Sequence, residues 1–170
     1  MKTSQALMML LLLCMTAAYS QARPMDVPVH FQPQLQQWDD EGYDRVYGLE
    51  EATVYRVYEK TPGVLTIILS VEAYEEPMLV LVTLDETRVQ AVEILYENET
   101  DDYGGDYVVK GWFLDRLLLK TAKPLETVVR KKSNDHEVIA ITGATITSMS
   151  VVMAVNKSIE IREAYENENE

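Results

Sequence analysis

The sequence is short of most of the residues that specialised chemistry draws on. Among its 170 residues it has one cysteine, Cys14, and two histidines, His30 and His136. A disulfide framework, a cysteine-rich zinc site and a Ser-His-Asp triad therefore have little to build on. Glycine numbers seven and proline six, no segment repeats, and no Gly-rich phosphate loop follows a hydrophobic run. Those gaps exclude fibrous, solenoid and P-loop architectures. Basic residues are also scarce, 15 Lys and Arg against 28 Asp and Glu, for a net charge of -13. Nucleic acid is excluded as a partner, because a phosphate backbone demands a basic footprint. An anionic membrane surface is disfavoured for the same reason. Hydrophobic residues still make up 47% of the chain, enough for one domain with an ordinary core.

Residues 1–22 read as a secretory signal peptide. Lys2 is the positive n-region, Ala6 to Ala18 the apolar run, and Ser20-Gln21-Ala22 a small-x-small cleavage site. The apolar run is shorter than the roughly 20 residues that span a bilayer. Cleavage removes Cys14 with it, so thiol chemistry is excluded from the exported chain. Residues 23–47, rich in Pro, Gln and acid, are expected to form an extended lead-in. The domain proper is expected over residues 48–164, followed by an acidic tail, residues 165–170.

Within that domain Val54, Val57 and Tyr58 predict one face of a helix over residues 49–60. Pro62-Gly63 predicts a turn. Three strands are expected at Val64–Val71, Leu79–Leu84 and Val89–Leu95, the first two apolar enough to be buried on both faces. An apolar segment follows at residues 112–119. Thr127–Lys131 and Glu137–Ile141 predict a hairpin across Ser133-Asn134-Asp135. The spacing of Val151, Val152, Val155 and Ile159 predicts a final helix over residues 147–164. Strands bracketed by helices, without βαβ alternation, give an α+β class with a small, antiparallel-rich sheet.

Most polar clusters have an ordinary explanation. His30 and His136 lie in polar surroundings and read as surface turn residues. Asp101, Asp102 and Asp106 lack calcium-loop spacing and read as a solvated loop. Asn98-Glu99-Thr100 and Asn156-Lys157-Ser158 are glycosylation acceptor tripeptides, the second inside the expected last helix. The segment Ile141-Thr142-Gly143-Ala144-Thr145-Ile146-Thr147-Ser148 is different, a small-residue turn with several hydroxyls that opens a helix. Free N–H groups and the helix dipole make such a turn an anion site, with phosphate the usual guest. Its simpler reading is structural, with Thr147 or Ser148 capping the helix and Gly143 turning the chain.

Thr142-Gly143-Ala144-Thr145-Ile146-Thr147-Ser148 is similar to the [Ser/Thr]-Gly-Ala-Thr-x-[Thr/Ser] motif of the FMN-binding domain family. That domain occurs in the C subunit of the sodium-pumping NADH:quinone reductase, in the G subunit of Rnf complexes and in small exported proteins. A Glu-Thr pair following a strand is a second shared feature, here Glu99-Thr100 before Asp101-Asp102-Tyr103-Gly104-Gly105. The resemblance covers roughly residues 50–162. It implies an FMN-binding-domain-like α+β fold and FMN phosphoester-linked to Thr145, installed by a flavin transferase that uses FAD. It further implies that Thr142, Gly143, Ala144, Thr147 and Ser148 surround the attachment point, and that Glu99, Thr100 and Gly104 belong to a loop closing over the flavin. The sequence departs from the family at Ile139, where the attachment signature has Asp, and at Asp101-Asp102, which replace Pro-Gly. Non-covalent FMN is the alternative that Ile139 leaves open.

Tyr74, Tyr96, Tyr103 and Trp112 are candidates to stack on the isoalloxazine, and Lys110 or Arg130-Lys131-Lys132 to neutralise its phosphate. No placed general base and no nicotinamide fingerprint is present. The expected role is electron carriage outside the cytoplasm, in a Gram-negative periplasm, rather than turnover of a substrate. The expected redox partner has a basic docking face, such as a membrane electron-transfer complex or a cytochrome. The competing expectation is a flavin-free, exported interaction module on the same fold.

Overall fold

The computed structural model describes residues 28–40, 54–99, 105–109, 111–118 and 123–169. The expected signal peptide lies outside these residues. The centre is a four-stranded antiparallel meander of β1 (Val54–Thr61), β2 (Val64–Val71), β3 (Met78–Leu84) and β4 (Val89–Tyr96), in that spatial order. The expected strands are β2, β3 and β4. Ile67 lies opposite Val82, and Val82 opposite Val92, so one continuous apolar row crosses the sheet. Gly63, at φ +77°, supplies the left-handed residue of the Pro62-Gly63 turn into β2.

The helix expected over residues 49–60 is a strand from Val54 onward; its first five positions lie outside the described residues. A β-bulge explains the misleading periodicity. Val54 pairs with Leu69 but Arg56 with Ile68, so one extra residue is inserted in β1. The bulge shifts the phase, and Val54 and Val57, three apart, reach the same core, while Tyr55 and Tyr58 reach the other. Both faces are buried, and a three-residue apolar spacing on a strand imitates a helix.

The two faces have different covers. The larger core packs Ile67, Leu69, Val80 and Val82 under the long C-terminal helix through Val151, Val155 and Ile159, all fully buried or nearly so. Each such side chain contributes about 1.5–3 kcal/mol relative to exposure. The second core joins Tyr55, Tyr58, Ile68, Leu79 and Leu81 to Phe31 and Leu35. Those last two belong to the expected extended lead-in, which is instead helical where it is described. A 3-10 turn at Val29–Phe31 runs into α1 (Gln32–Asp40). Phe31, Leu35 and Trp38 recur every three or four residues against the sheet, and Pro33 sits in the first helical turn, where its missing N–H leaves no bond unmade.

Past β4 come two short helices, α2 (Gly105–Val109) and α3 (Trp112–Asp115), the latter within the expected apolar segment and burying Phe113 and Leu114. β5 (Glu126–Val128) and β6 (Glu137–Ile139) pair in parallel, with Thr127 beside Val138, so the expected hairpin is not formed. The Ser133-Asn134-Asp135 turn is real but sits at the entrance to β6. Asn134 Oδ1 accepts the N–H groups of His136, at 2.8 Å, and Glu137, at 3.1 Å. The chain thus doubles back before it pairs, and both strands run the same way. His136 lies in this turn, as expected, whereas the ring of His30 stacks 4.7 Å from that of Tyr96.

The last helix, α4 (Thr145–Asn169), begins two residues before and ends five after the expected span. The acidic tail, described to Asn169, continues the helix. Tyr165 Oη donates to Glu59 Oε2 at 2.9 Å, tying that end to β1, and Arg162 meets Glu166 one turn on at 2.7 Å. The Asn156 side chain is consumed by structure. Its Nδ2 donates to the Leu125 carbonyl at 2.9 Å and its Oδ1 accepts the Leu125 N–H at 2.7 Å. A glycan on Asn156 would break this pair.

Candidate functional site

The turn between β6 and α4 follows from its residues. The parallel ladder ends as Ala140 N–H donates to the Val128 carbonyl at 2.9 Å. Gly143 then adopts φ +88°, a left-handed conformation that a side chain resists, and Ala144 N–H donates to the Ile141 carbonyl at 3.0 Å. α4 opens at Thr145 behind Ala144, which is buried and carries no side-chain oxygen. Neither Thr147 nor Ser148 caps the helix; both lie within its first turn. Fully buried Ser148 closes the turn from inside, its Oγ accepting Ile141 N–H at 3.0 Å and donating to the Ala144 carbonyl at 2.8 Å.

Thr147 is likewise buried, and its hydroxyl donates to Oε2 of Glu99. The other carboxylate oxygen, Oε1, accepts the backbone N–H groups of Tyr74 at 3.0 Å and Glu75 at 3.2 Å. One half-buried carboxylate therefore joins three segments: the chain after β4, the β2–β3 connection and the start of α4. A carboxylate is well placed at a helix N-terminus, where the dipole favours negative charge. Ser150 adds a second tie to the same connection, donating to the Glu72 carbonyl at 2.5 Å. The backbone donors of Tyr74 and Glu75 were not foreseen, and no side-chain pattern announces them.

Thr145 is left in a different state from its neighbours. It is half-buried, while Thr142 and Gly143 are exposed, and among the described residues its hydroxyl has no hydrogen-bond partner. The N–H groups of Thr145, Ile146 and Thr147 have no acceptor four residues back within the helix. Ala144 offers them no side-chain cap. Among the described residues the turn thus leaves two hydroxyls unengaged, exposed Thr142 before Gly143 and half-buried Thr145 beside first-turn donors at the positive end of a 25-residue helix. Such an arrangement is suited to holding an anion such as phosphate.

The structure brings Glu99 together with the Thr142–Ser148 turn; Thr100 and Gly104 lie outside the described residues. So do Tyr103 and Lys110. Tyr74 is 58% exposed, with its backbone on Glu99. Tyr96 points into the second core, its ring 5.3 Å from that of Phe31, and so is on the other side of the sheet from α4. Trp112 is partly exposed under the guanidinium of Arg116, 4.2 Å from its ring centre. Arg130 and Lys131 are exposed in the loop after β5, whereas Lys132 lines a groove of about 290 Å³ with Arg116, Glu137, Val138 and Ile139. Ile139, at the signature Asp position, therefore adds apolar surface beside two cations.

Comparison with known proteins adds three findings. A family model described as FMN-binding domain matches residues 73–160, which include Glu99 and the whole Thr142–Ser148 turn. Among solved structures, the C subunit of the Na(+)-translocating NADH-quinone reductase from Parabacteroides distasonis is similar at 19% identity and a TM-score of 0.51. The alignment covers 81% of this chain and 84% of that one, and shows a shared α+β fold. NqrC of Shewanella oneidensis aligns at 22% identity and a TM-score of 0.45, covering 63% of this chain. The chain spans only 56% of that protein's length. No curated protein matches.

Proposed function

The chain belongs to the FMN-binding domain family, and from that premise we propose that it carries FMN on Thr145 through a phosphoester and passes electrons between redox partners outside the cytoplasm. The observation that carries this reading is the state of the hydroxyls in the turn. Thr147 and Ser148 are committed to Glu99 and Ile141, and among the described residues Thr145 alone of these three is left unengaged beside first-turn N–H donors. Those donors would hold the phosphate, and left-handed Gly143 lets it approach the backbone. Glu99 serves as a positioning residue, holding the helix start against the β2–β3 connection. Bound FMN would supply the electron chemistry. A phosphoester tether suits export, since a cofactor lost outside the cytoplasm has no pool to replace it.

Residues 1–22 would direct export, and the domain would be residues 48–164 together with α1, whose Phe31 and Leu35 complete the second core, and the continuation of α4 into the tail. The partners proposed are a flavin transferase for maturation and a redox protein, either a cytochrome or a membrane complex. The Parabacteroides relative belongs to an NADH-quinone reductase, which favours the complex.

The flavin-free interaction module is the second reading, favoured by Ile139 in place of Asp. One experiment separates the two: export of the full chain with a flavin transferase, followed by intact mass and in-gel flavin fluorescence. The expected result is an FMN-sized increment that survives denaturation and is lost in Thr145→Ala. An unmodified chain without flavin sinks the carrier reading. Unmodified chain with bound, extractable FMN moves the cofactor to a non-covalent site, and restoring the signature in Ile139→Asp is then the next comparison.

A further inference from the structure

The face of α4 that leads away from Thr145 is apolar and open. Ile146 is 51% exposed, Met149 46% and Met153 53%, at the i, i+3, i+7 spacing that sets side chains on one stripe. The stripe runs about 10 Å at 1.5 Å per residue. Beside Met153 it opens into a groove of about 340 Å³ between the end of β2 and Met153, Lys157 and Glu160. A soluble helix ordinarily sets polar residues on this face, so the stripe runs against the patterning of the rest of the fold. Methionine suits adaptable contact surfaces, because its unbranched, polarizable side chain repacks at low cost.

The charge around the stripe selects the occupant. Glu72 and Glu160 line the groove at Met153, with Lys157 already 3.5 Å from Glu160. Exposed Glu75 and half-buried Glu99 lie toward the Thr145 end. The chain as a whole carries a net charge of -13. The geometry points to a docking face on α4 for a basic protein, with Ile146, Met149 and Met153 as its apolar centre and Glu72 and Glu160 on its acidic rim. A second copy of this chain is disfavoured as the occupant, because it would set like charges rim to rim. That the occupant is a redox protein rests on the flavin-carrier reading; the face and its preference for a basic partner do not.

The test uses a lysine-rich cytochrome c as the basic probe and measures its dissociation constant for the full exported chain, with and without flavin, over a series of salt concentrations. Binding is expected at low salt, weakening as salt rises. At fixed low salt, Met149→Gln/Met153→Gln is expected to weaken binding about tenfold and keep the salt slope, since it removes apolar contact from the interface centre. Glu72→Gln/Glu160→Gln is expected to flatten the slope. Val29→Gln, which also removes an exposed apolar group but not from α4, leaves binding unchanged. All of these positions are exposed, and far-ultraviolet dichroism confirms the fold of each variant. No binding at low salt, or a methionine double variant within twofold of the parent, overturns the assignment. So does self-association that the same double variant dissolves, which would make a second copy the occupant. A missing FMN increment refutes the carrier reading and leaves this binding result standing.

Discussion

Removing the Glu99 carboxylate should loosen the start of α4 by a calculable amount. Its oxygens accept two backbone N–H groups, from Tyr74 and Glu75, and the Thr147 hydroxyl. A hydrogen bond to a charged group contributes about 1.5–3 kcal/mol. Glu99 is half-buried, and water can replace part of what Glu99→Ala removes, so the low end applies to the group as a whole. The expected loss is about 2 kcal/mol. For a domain of this size that lowers Tm by about 8 °C. Glu99→Gln keeps an oxygen for the two N–H groups and turns its amide toward Thr147, so about half the loss is expected. The assay is urea unfolding followed by circular dichroism, extended to Thr147→Val and the double variant. If the bridge is real, Glu99 and Thr147 couple by about 1 kcal/mol in the cycle. Glu99→Ala costing under about 0.5 kcal/mol, the range of an ordinary surface change, refutes the bridge. So does strict additivity with Thr147→Val.

Phe31→Ala should cost about 3 kcal/mol, since a fully buried ring in the second core is replaced by a cavity. It should also shift the emission of half-buried Trp38 on α1 to the red, and unchanged emission would mean that α1 does not depend on this contact. Asp85, between β3 and β4, is held well below the usual carboxylate range. The Thr87 hydroxyl is the largest cause, with Gln90 and the N–H groups of Thr87 and Arg88 adding to it against the opposing effect of burial. A depressed folded-state pKa gives stability that is present above the unfolded pKa, about 4, and lost as pH falls below it. Asp85→Asn should therefore be less stable at neutral pH and lose less than the parent on acidification; equal acid-side slopes in urea melts would contradict this.

The sheet interior was legible because β2 and β3 are apolar on both faces, and only a covered sheet tolerates that. β1 was not, because its bulge converts a two-residue period into a three-residue one, and the bulge is a property of the pairing with β2. α1 was hidden behind Pro28 and Pro33, although Phe31, Leu35 and Trp38 carried the helical period. Ser133-Asn134-Asp135 marked a turn without showing which side of it pairs, and eight residues between short strands leave room for a parallel return. At the site, Gly143, Ser148 and Glu99 were visible as a motif. Their connections were not, because Glu99 is held by backbone donors 24 and 25 residues away, and a backbone N–H carries no signature in the sequence. Simple alternation would set Tyr96 on the face of Ile94, under α4, but a bulge at Leu95 turns both Leu95 and Tyr96 to the other face, and that bulge is again a property of the pairing.

The side-chain clasp of Asn156 on Leu125 closes a ring of chain. From Leu125 the backbone runs through β5, loops round to run through β6 in the same direction, then passes around the Gly143 turn and up about three helical turns, where Asn156 returns to its start. The Thr145 turn is thus a link in a locked hoop, fixed on one side by a sheet ladder and on the other by a helix. Outside the strands and the helix this hoop has the loop over residues 129–136, which leaves the far end of β5 and returns beside the clasp, where the His136 carbonyl accepts the Glu126 N–H at 2.9 Å. Residues inserted there should balloon outward, at an entropic cost that grows only with the logarithm of their number. The chain can therefore vary that outer loop and keep the Thr145 turn in place, which separates the part of this segment free to diversify from the part that must stay still.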